Sequence, residues 1–395
     1  MSPIRPLSSP TVNSAPAVNR RYLELSPCHS MMPVPVKQVS VKLGDRSYEI
    51  LIGDAILADT PQLLGKDSTR FLIVTDDNVR TPHAELVLKA LRDSGAQGTI
   101  VAVAAGERSK SLSTLSTLYD ALIEQSANRR TTIVAVGGGV VGDLAGFLAA
   151  TYARGLPFVQ VPTTLLAMVD SSVGGKTGIN HPRGKNLIGA FHQPLGVLVD
   201  TATLETLPDR EYRSGLAEVI KYGVIMDADF FAWLEGQVDG MVHRDSEVLA
   251  HIVARCCQLK ADVVQEDEFE TKGLRAILNY GHTFAHAFEA LSGYDELLHG
   301  EAVSIGMICA SRLAVRLNRI SEEVTDRQVA LLSAVGLPVN VPANQLSRHQ
   351  ELMDCMLLDK KTVDGQLRFI LPDRIGHVEL VEGVAADVAL ECLSG

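Results

Sequence analysis

The sequence lacks a basic excess, and this bears on its partners. Its 395 residues include 36 Lys and Arg against 47 Asp and Glu, which gives a formal net charge of −11. Nucleic-acid phosphates select basic protein faces, so we expect no nucleic-acid partner. The net charge does not exclude a small anionic substrate, because a pocket can be locally basic in an acidic protein.

Long apolar runs and paired cysteines are also missing. No run reaches the ~18 uninterrupted apolar residues of a membrane-spanning helix, and the most apolar region, residues 133–152, is interrupted by Asp143. We therefore expect no membrane partner. The six cysteines form no CxxC pair and have no regular spacing. This pattern is typical of buried, reduced thiols and predicts a reducing compartment without a cysteine-rich metal site.

The first 36 residues differ in composition from the rest. They contain seven prolines and six serines, and their three arginines face a single acid, Glu24. Two interpretations stay open: an organelle transit segment, or a disordered tail ahead of a start at Met31 or Met32. We expect a tail and a cytoplasmic protein, with a plastid location as the alternative if residues 1–36 are a transit segment.

The following part of the chain predicts an α/β domain. An alternating pattern at residues 39–43 and 48–52 predicts a hairpin. Apolar runs at residues 71–74, 99–103 and 132–136 then alternate with helical spacing at residues 83–93 and 112–123. Fully apolar strands that alternate with helices predict a Rossmann-like parallel sheet covered on both faces.

The second half of the chain predicts a mainly α-helical domain. Helical patterns cover residues 211–222, 246–264, 276–291, 301–317 and 324–333, and a short hairpin follows at residues 367–371 and 377–381. We see no internal repeat. The expected division is a tail over 1–36, an α/β domain over 37–202 and a helical domain over 203–395, with the functional cleft between the two domains.

A glycine-rich segment follows the third apolar strand. Residues 137–142 satisfy G-x-G-x-x-G between a strand and a helix, where glycines let the backbone approach a pyrophosphate. The usual fingerprint has an acid about 20 residues later, whereas here the next strand ends in Pro162, Thr163 and Thr164. The segment is therefore either a tight packing turn or an unusual nucleotide loop, with Asp76 as a candidate ribose ligand.

A second glycine cluster lies at residues 170–178 and continues at 184–186. The sequence Gly175-Lys176-Thr177 is like the end of a P-loop, but Asp170 stands where that motif requires glycine, so we reject this interpretation. Lys176 and Lys185 among glycines still favour contacts with an anion.

Histidines and a glutamate in the helical half indicate a metal site. His282 and His286 are four residues apart on one helical face, His299 begins the next helix, and Glu218 lies on an earlier one. Two histidines and a carboxylate, with a position open for substrate oxygens, suit a catalytic divalent metal. The alternative for each histidine is a hydrogen-bonded core residue.

Separated cations lie in the same half of the chain. They are Lys260, Arg275 and the pair Lys360 and Lys361. As isolated residues these would be ordinary surface charges. Near a metal they would suit a phosphorylated carboxylic acid.

Together these residues resemble the 3-dehydroquinate synthase family of sugar phosphate cyclases. The similarity runs from about residue 39 to 382 and is most specific at residues 137–155, 161–180, 184–194, 204–222 and 275–286. It implies conversion of 3-deoxy-D-arabino-heptulosonate 7-phosphate to 3-dehydroquinate and phosphate, the second step of the shikimate pathway towards chorismate and aromatic amino acids. It also implies that NAD+ acts catalytically, because a ring alcohol is oxidised before phosphate elimination and the ketone is reduced afterwards.

The resemblance further implies site residues. The NAD+ contacts would be Asp76, Asn78, Glu107, Lys110, Gly138, Gly139, Asp143, Thr163, Thr164, Lys185, Thr206 and Glu211. The ligands of Zn2+ or Co2+ would be Glu218, His282 and His299. The substrate phosphate would be bound by Lys176, Asn186, Asn279, His286 and one of Lys360 and Lys361. The substrate carboxylate would be bound by Lys260 and Arg275, and the ring hydroxyls by Asp170 and Lys221.

The resemblance also implies a homodimer, with Arg154 reaching the neighbouring subunit's site. His286 is the candidate proton shuttle. Two departures are visible: Ser214 stands where some members have asparagine, and residues 268–272 form a segment about one residue longer than in some relatives.

Three alternatives to the synthase stay open. One is a related cyclase that acts on another sugar phosphate, and the second is a metal-dependent polyol dehydrogenase with the same two-domain plan. The third is a binding protein without catalysis. Phosphate release without net NADH would distinguish the synthase from the dehydrogenase.

Overall fold

The computed structural model describes residues 35–65, 68–292, 296–358 and 367–393. Lys360 and Lys361, the two candidates for one phosphate contact, lie outside this part of the chain. The predicted tail also lies outside it, apart from residues 35 and 36.

The strands divide into one large sheet and two hairpins. In chain order they are β1 (Lys37–Val41), β2 (Tyr48–Gly53), β3 (Arg70–Asp76), β4 (Gln97–Val103), β5 (Thr131–Gly137), β6 (Phe158–Pro162), β7 (Lys176–His181), β8 (Gly184–Phe191), β9 (Gly196–Asp200), β10 (Leu367–Arg374) and β11 (His377–Val384). The large sheet has the order β1-β2-β9-β6-β5-β3-β4. Its pairs are parallel except for the antiparallel β1–β2 hairpin.

Helices cover both faces of this sheet. They are α1 (Glu85–Asp93), α2 (Leu112–Glu124) and α3 (Gly139–Thr151). Leu72 and Val74 of β3 pack in a core with α2 and α3, whereas Phe71 and Ile73 pack in another core with α1. Successive side chains of a strand point to opposite faces of the sheet, so a strand that is apolar throughout needs helices packed on both faces. This confirms the predicted α/β domain.

The second half of the chain is mainly helical, as predicted. Its helices are α4 (Asp209–Met226), α5 (Ala228–Glu235), α6 (Val238–Val242), α7 (Ser246–Glu266), α8 (His282–Leu291), α9 (His299–Arg316), α10 (Glu322–Ala334), α11 (Ala343–Leu346), α12 (His349–Leu358) and α13 (Ala386–Glu391). The predicted terminal hairpin is present as β10 and β11. Within the described ranges, no helix has the length and apolar character needed to cross a lipid bilayer.

One predicted helix is wrong in part. The pattern predicted a continuous helix over residues 276–291, but the chain makes a short 3-10 turn over Leu274–Asn279 and α8 begins only at His282. Gly281 separates the two with a φ of +78°, a left-handed conformation that a right-handed helix does not contain. Hydrophobic spacing alone did not reveal this break.

The largest apolar core joins the sheet edge to the helices. It contains Val41, Ile50 and Val199 of β1, β2 and β9 together with residues of α4, α7 and α9. The hairpin β7–β8, which the sequence analysis treated only as an anion-binding glycine cluster, packs against α3: a Cβ on Gly146 would lie 2.3 Å from Thr177 Cγ2. The site residues therefore come from several closely packed elements.

Candidate active site

The carboxyl ends of the parallel strands carry predicted nucleotide-binding residues. Strand β3 ends at Asp76, and β6 runs into Thr163 and Thr164. Helix α3 begins at Gly139, and a Cβ on Gly138 would lie 3.0 Å from Thr164 Cγ2. Since Gly138 has no side chain, the start of α3 packs closely on Thr164, and the unpaired N–H groups of this helix end favour an anion.

A buried lysine links the predicted cofactor contacts to a predicted phosphate contact. Lys110 donates from Nζ to Asp143 Oδ2 at 2.7 Å and also to Asn186 Oδ1. Glu107 accepts from Asn180 Nδ2 at 2.7 Å, and the side-chain oxygen of Asn180 accepts the backbone N–H of Asn186 at 2.8 Å. Burial raises the pKa of Asp143, and Lys110 opposes this shift.

Other predicted cofactor contacts follow strands β3 and β9 in the chain. Asp76 Oδ1 accepts the backbone N–H of Asn78 at 2.9 Å. Thr206 Oγ1 lies 2.7 Å from Nε2 of the buried His83, and Glu211 lies in the first turn of α4, where burial raises its pKa.

An unsatisfied hydroxyl also lies at this edge of the sheet. Thr163 Oγ1 is buried and has no hydrogen-bond partner in the described parts of the chain. A buried hydroxyl without a partner is costly, so a ligand that bonds to it would stabilise the site. Together with the N-terminal end of α3, this fits a bound dinucleotide.

Three helices approach closely at the predicted metal ligands because glycines face backbone atoms. A Cβ on Gly300 would lie 1.8 Å from the carbonyl oxygen of Ser214, so a side chain there would push α9 away from α4. A Cβ on Gly281 would lie 2.7 Å from the backbone nitrogen of Met307, which brings the start of α8 against α9. Glu218, one turn beyond Ser214, therefore lies beside the first residues of α8 and α9.

Those first residues are the two histidines of the predicted ligand set. Glu218 Oε1 lies 3.8 Å from His282 Nε2 and 3.7 Å from His299 Nε2, and one ligand atom from each residue lies within 4.8 Å of the others. The opposite ring nitrogens are held in place: His282 Nδ1 lies 3.1 Å from Tyr280 O, and His299 Nδ1 lies 3.3 Å from Glu289 Oε1.

The charges of this group favour a cation. Glu218 is 1% exposed and neither carboxylate oxygen accepts a hydrogen bond, although Lys221 Nζ contacts Oε2. Burial would lower the pKa of His299, but Glu218 and Glu289 outweigh it and raise the pKa to about 10. These carboxylates stabilise positive charge at the imidazole, and a metal ion at Nε2 would take the place of its proton. Burial and Lys221 hold the pKa of His282 well below its usual value, so this imidazole is neutral and able to bind a metal.

These observations fit a divalent metal. Unsatisfied carboxylate oxygens and two imidazoles with oriented Nε2 atoms are the donor set that Zn2+ and Co2+ accept. The partners at each Nδ1 are the outer-shell contacts typical of metal-bound histidines.

A second group with metal-ligand geometry lies on the C-terminal hairpin. It consists of Asp373, His377 and Glu379. Its carboxylates already pair with Arg374 and Arg319, and all three residues are at least partly exposed. It therefore lacks the unsatisfied buried oxygens of the Glu218 group.

Buried cations and an acid adjoin the candidate metal site. Lys260 Nζ donates to Asp170 Oδ1 and to its backbone oxygen, both at 2.6 Å, and Tyr222 donates its hydroxyl to the same Oδ1 at 3.1 Å. Burial would raise the pKa of Asp170, but Lys260 and Lys221 outweigh it and the pKa lies below the usual range. Asp170 is thus an anionic acceptor among cations.

A loop carboxylate lies between two cations predicted to bind different parts of the substrate. Glu270 Oε1 contacts Lys176 Nζ and lies 3.7 Å from Nε of the buried Arg275. Arg275 Nη1 donates to Glu268 O at 3.0 Å, while its Nε has no hydrogen-bond partner in the described residues. A Cβ on Gly174 would lie 2.8 Å from Arg275 Nη2, so the guanidinium packs against the second glycine cluster.

The other predicted residues fall into two groups. His286 lies near the metal group, with its ring 5.5 Å from that of His282. Asn279 ends the turn before α8, where its Nδ2 donates to Ala276 O at 3.3 Å. Arg154 lies elsewhere, exposed in a turn after α3 with a φ of +69°.

Sequence reasoning missed three residues that complete the site. Tyr222 lies four residues after Glu218, and Glu289 lies seven residues after His282, so helical spacing from each ligand could have identified them. Glu270 lies in the segment noted as longer than in some relatives, but its position between two cations depends on loop conformation and has no sequence signal.

Known proteins share both sequence and structure with this chain. A 3-dehydroquinate synthase of Desulforamulus reducens is 50% identical over 361 residues, which cover 90% of this chain and 99% of that protein. A 2-deoxy-scyllo-inosose synthase, solved with carbaglucose-6-phosphate, NAD+ and Co2+, has a TM-score of 0.82 at 29% identity and covers 90% of this chain and 99% of its own. A 2-epi-5-epi-valiolone synthase of Streptomyces hygroscopicus subsp. jinggangensis, solved with NAD+ and Zn2+, has a TM-score of 0.81 at 30% identity and covers 89% and 97%.

Family-level similarity extends across the glycine-rich segment and the candidate metal group. A sequence model of the N-terminal part of 3-dehydroquinate synthases matches residues 100–214, and a model of their C-terminal part matches residues 215–362. These matches, with half of the residues identical to a named synthase over nearly its whole length, show that the chain belongs to the 3-dehydroquinate synthase family.

Proposed function

We propose that the chain converts 3-deoxy-D-arabino-heptulosonate 7-phosphate to 3-dehydroquinate and inorganic phosphate. One observation carries the proposal: the buried ligand group Glu218, His282 and His299 adjoins buried cations in a chain 50% identical to a 3-dehydroquinate synthase. We further propose that residues 37–202 bind NAD+ and that residues 203–395 supply the metal ligands and most substrate contacts.

Glu218, His282 and His299 would hold the metal, Zn2+ or Co2+. When bound, the metal acts as a Lewis acid that lowers the pKa of a substrate alcohol and polarises the ketone formed from it. The chain's own contribution is orientation, because Tyr280 and Glu289 fix the two imidazoles through Nδ1.

The sheet edge would hold the dinucleotide. NAD+ supplies a hydride acceptor and then returns the hydride, so it is not consumed. Gly138 and Gly139 lie at the start of α3, whose N–H groups would bind the pyrophosphate, and Thr163 offers an unsatisfied buried hydroxyl. The remaining contacts would be Asp76, Asn78, Glu107, Lys110, Asp143, Thr164, Lys185, Thr206 and Glu211.

Separate cations would bind the two anionic ends of the substrate. Lys260 and Arg275 are both buried. They suit the substrate carboxylate, because burying a carboxylate is costly unless cations pair with it. Asp170 and Lys221 would bind ring hydroxyls as acceptor and donor. The phosphate would meet Lys176, Asn186, Asn279, His286 and one of Lys360 and Lys361.

His286 would hold the proton that moves during elimination. It lies on the same face of α8 as the metal ligand His282, with the rings 5.5 Å apart. An imidazole at this distance can receive a proton released beside the metal and return it.

We also propose a homodimer in which Arg154 reaches the partner's site. Arg154 follows Ala153 in a turn where both residues have positive φ values, and it is exposed. Backbone strain of this kind persists where surrounding contacts maintain it, and a contact with a partner subunit would do so.

A cytoplasmic location is also proposed. The cysteines of the described ranges are all free thiols, and burial raises the pKa of Cys257 and of Cys309 to about 12. Buried thiols of this kind are unreactive and agree with a reducing compartment.

Incubation of the purified protein with the heptulosonate phosphate, substoichiometric NAD+ and Zn2+ tests the function. We expect equal amounts of phosphate and 3-dehydroquinate, with no net NADH. Accumulation of NADH in proportion to substrate would instead support a polyol dehydrogenase. Turnover of a non-carboxylated sugar phosphate, with none of the heptulosonate phosphate, would support a related cyclase.

A further inference from the structure

A buried carboxylate outside the predicted ligand set lies against the metal group. Glu289 is on α8, seven residues after His282 and thus on the same helical face, and it is 6% exposed. We infer that Glu289 is a positioning residue of the metal centre, which orients His299 and ties it to the hairpin β7–β8. The inference rests on the proposed metal site.

The contact with His299 fixes the direction of its imidazole. Nδ1 of His299 lies 3.3 Å from Glu289 Oε1, while Nε2 faces Glu218 Oε1 at 3.7 Å. When Nδ1–H donates to Glu289, the lone pair of Nε2 points at the space shared with Glu218. The ring is then held in the tautomer that a metal needs.

The other histidine ligand has a weaker partner at the equivalent position. His282 Nδ1 lies 3.1 Å from the backbone oxygen of Tyr280, which is a neutral acceptor. His299 is also the more exposed ligand, with 34% of its side chain accessible against 11% for His282. The charged partner, Glu289, therefore contacts His299, the histidine that is less restrained by packing.

The same carboxylate oxygen faces the hairpin that carries predicted cofactor and phosphate contacts. Lys185 Nζ on β8 lies 3.9 Å from Glu289 Oε1. The next residue, Asn186, accepts from Lys110, which also bonds to Asp143 at the start of α3. These contacts, joined by the peptide bond between Lys185 and Asn186, connect the metal group to Asp143, the residue directly after the glycine-rich segment.

Metal affinity tests this role without dependence on turnover. Purified apo-protein would be titrated with Zn2+ in competition with a chelator for the wild type, Glu289→Gln and Glu289→Ala. We expect about tenfold weaker binding for Glu289→Gln and up to about a hundredfold for Glu289→Ala, the range that outer-shell changes produce. The visible spectrum of the Co2+-loaded protein would also change, because the orientation of one ligand changes.

Glu301→Gln is the matched control. Glu301 lies on the first turn of α9 near His299, but its carboxylate pairs with Arg210 and accepts the backbone N–H of Leu298. We expect near wild-type Zn2+ affinity and an unchanged Co2+ spectrum for this variant.

The outcomes separate this inference from the proposed function. Wild-type protein that binds no Zn2+ would overturn the proposed metal site itself. Wild-type affinity and an unaltered Co2+ spectrum in both Glu289 variants would overturn the positioning role alone. Equal loss of affinity in Glu301→Gln would also overturn it, because the effect would then come from disturbance of α9 as a whole.

Discussion

At the residue scale, the metal group depends on charges placed in a nearly dry environment. Glu218 is buried with unsatisfied oxygens beside Lys221. In such surroundings an ion pair that loses one partner leaves an uncompensated charge. Each residue of the group therefore affects the others more strongly than an exposed ion pair would.

Removal of a ligand is expected to abolish metal binding. Glu218→Gln replaces the carboxylate that both histidines face, and His282→Ala removes one Nε2 donor. We expect loss of bound Zn2+ from both variants and a fall in kcat of more than about a hundredfold, since outer-shell changes alone reach that size.

Elemental analysis of the purified variants beside turnover measurements checks this expectation. His377→Gln, in the exposed group on the C-terminal hairpin, is the control and should retain full metal content and rate. Full Zn2+ stoichiometry in Glu218→Gln would contradict the ligand assignment.

A buried histidine outside the metal group is expected to make stability depend on pH. Burial lowers the pKa of His83, and its Nε2–H bonds to Thr206 Oγ1, which itself donates to Thr203 O. Because the folded-state pKa lies below the unfolded value of about 6.5, protonation favours the unfolded chain. The stability that neutral His83 contributes is therefore present above about pH 6.5 and is lost as the pH falls through the lower, folded-state pKa.

Urea midpoints of the wild type and His83→Gln at pH 7.5 and 5.5 measure the effect. At pH 7.5 the variant should lose about 1 kcal/mol, because the bond to Thr206 is altered. It should also lose less stability on acidification than the wild type. The control, His243→Gln, removes an exposed imidazole and should keep the wild-type pH dependence; an equal response in all three proteins would refute the prediction.

At the element scale, the sequence predicted most helices and the parallel strands because their apolar spacing is regular. The pattern over residues 276–291 misled because apolar spacing continues through Gly281, although that residue's left-handed backbone ends the regular structure. The approach of α4, α8 and α9 also depends on Gly281 and Gly300 lying opposite backbone atoms of other helices. Such contacts join residues far apart in the chain, and a hydrophobic period carries no information about them.

The loop after α7 is expected to compete with the substrate for its cations. Glu270, with a φ of +56°, contacts Lys176 and faces Arg275. Glu270→Gln should therefore lower KM for the heptulosonate phosphate by about two- to fivefold with little change in kcat, because partly exposed ion pairs contribute at most about 1 kcal/mol.

Steady-state kinetics at low and moderate salt measure this competition. The difference between Glu270→Gln and wild type should shrink as salt rises, since Lys176 and Glu270 are both partly exposed. Glu379→Gln removes another exposed carboxylate, which pairs with Arg319, and should leave KM unchanged. An unchanged or higher KM in Glu270→Gln would show that the loop does not compete.

At the scale of the whole molecule, net charge and site charge have opposite signs. The chain carries −11 overall, yet the candidate site buries Lys221, Lys260 and Arg275. From composition we could expect no nucleic-acid partner, but composition could not show where these cations lie. The sequence indicated Lys260 and Arg275 as separated cations, and the family resemblance added Lys221. Their pairing with Glu218, Asp170 and Glu270 became evident only from the packed structure.

The proposed homodimer predicts that two inactive variants can complement each other. If Arg154 serves the partner's site, homodimers of Arg154→Ala and of Glu218→Gln should each be inactive. A mixed dimer would contain one complete site, because the chain with intact Glu218 receives Arg154 from the other chain. Random mixing of differently tagged chains in equal amounts should then restore about a quarter of the wild-type activity, since half of the dimers are mixed and each has one working site.

If Arg154 serves its own chain instead, no mixed dimer has a complete site and co-expression restores nothing. Size-exclusion chromatography of each variant shows whether dimers persist, so that failure of assembly is distinguished from failure of the shared site.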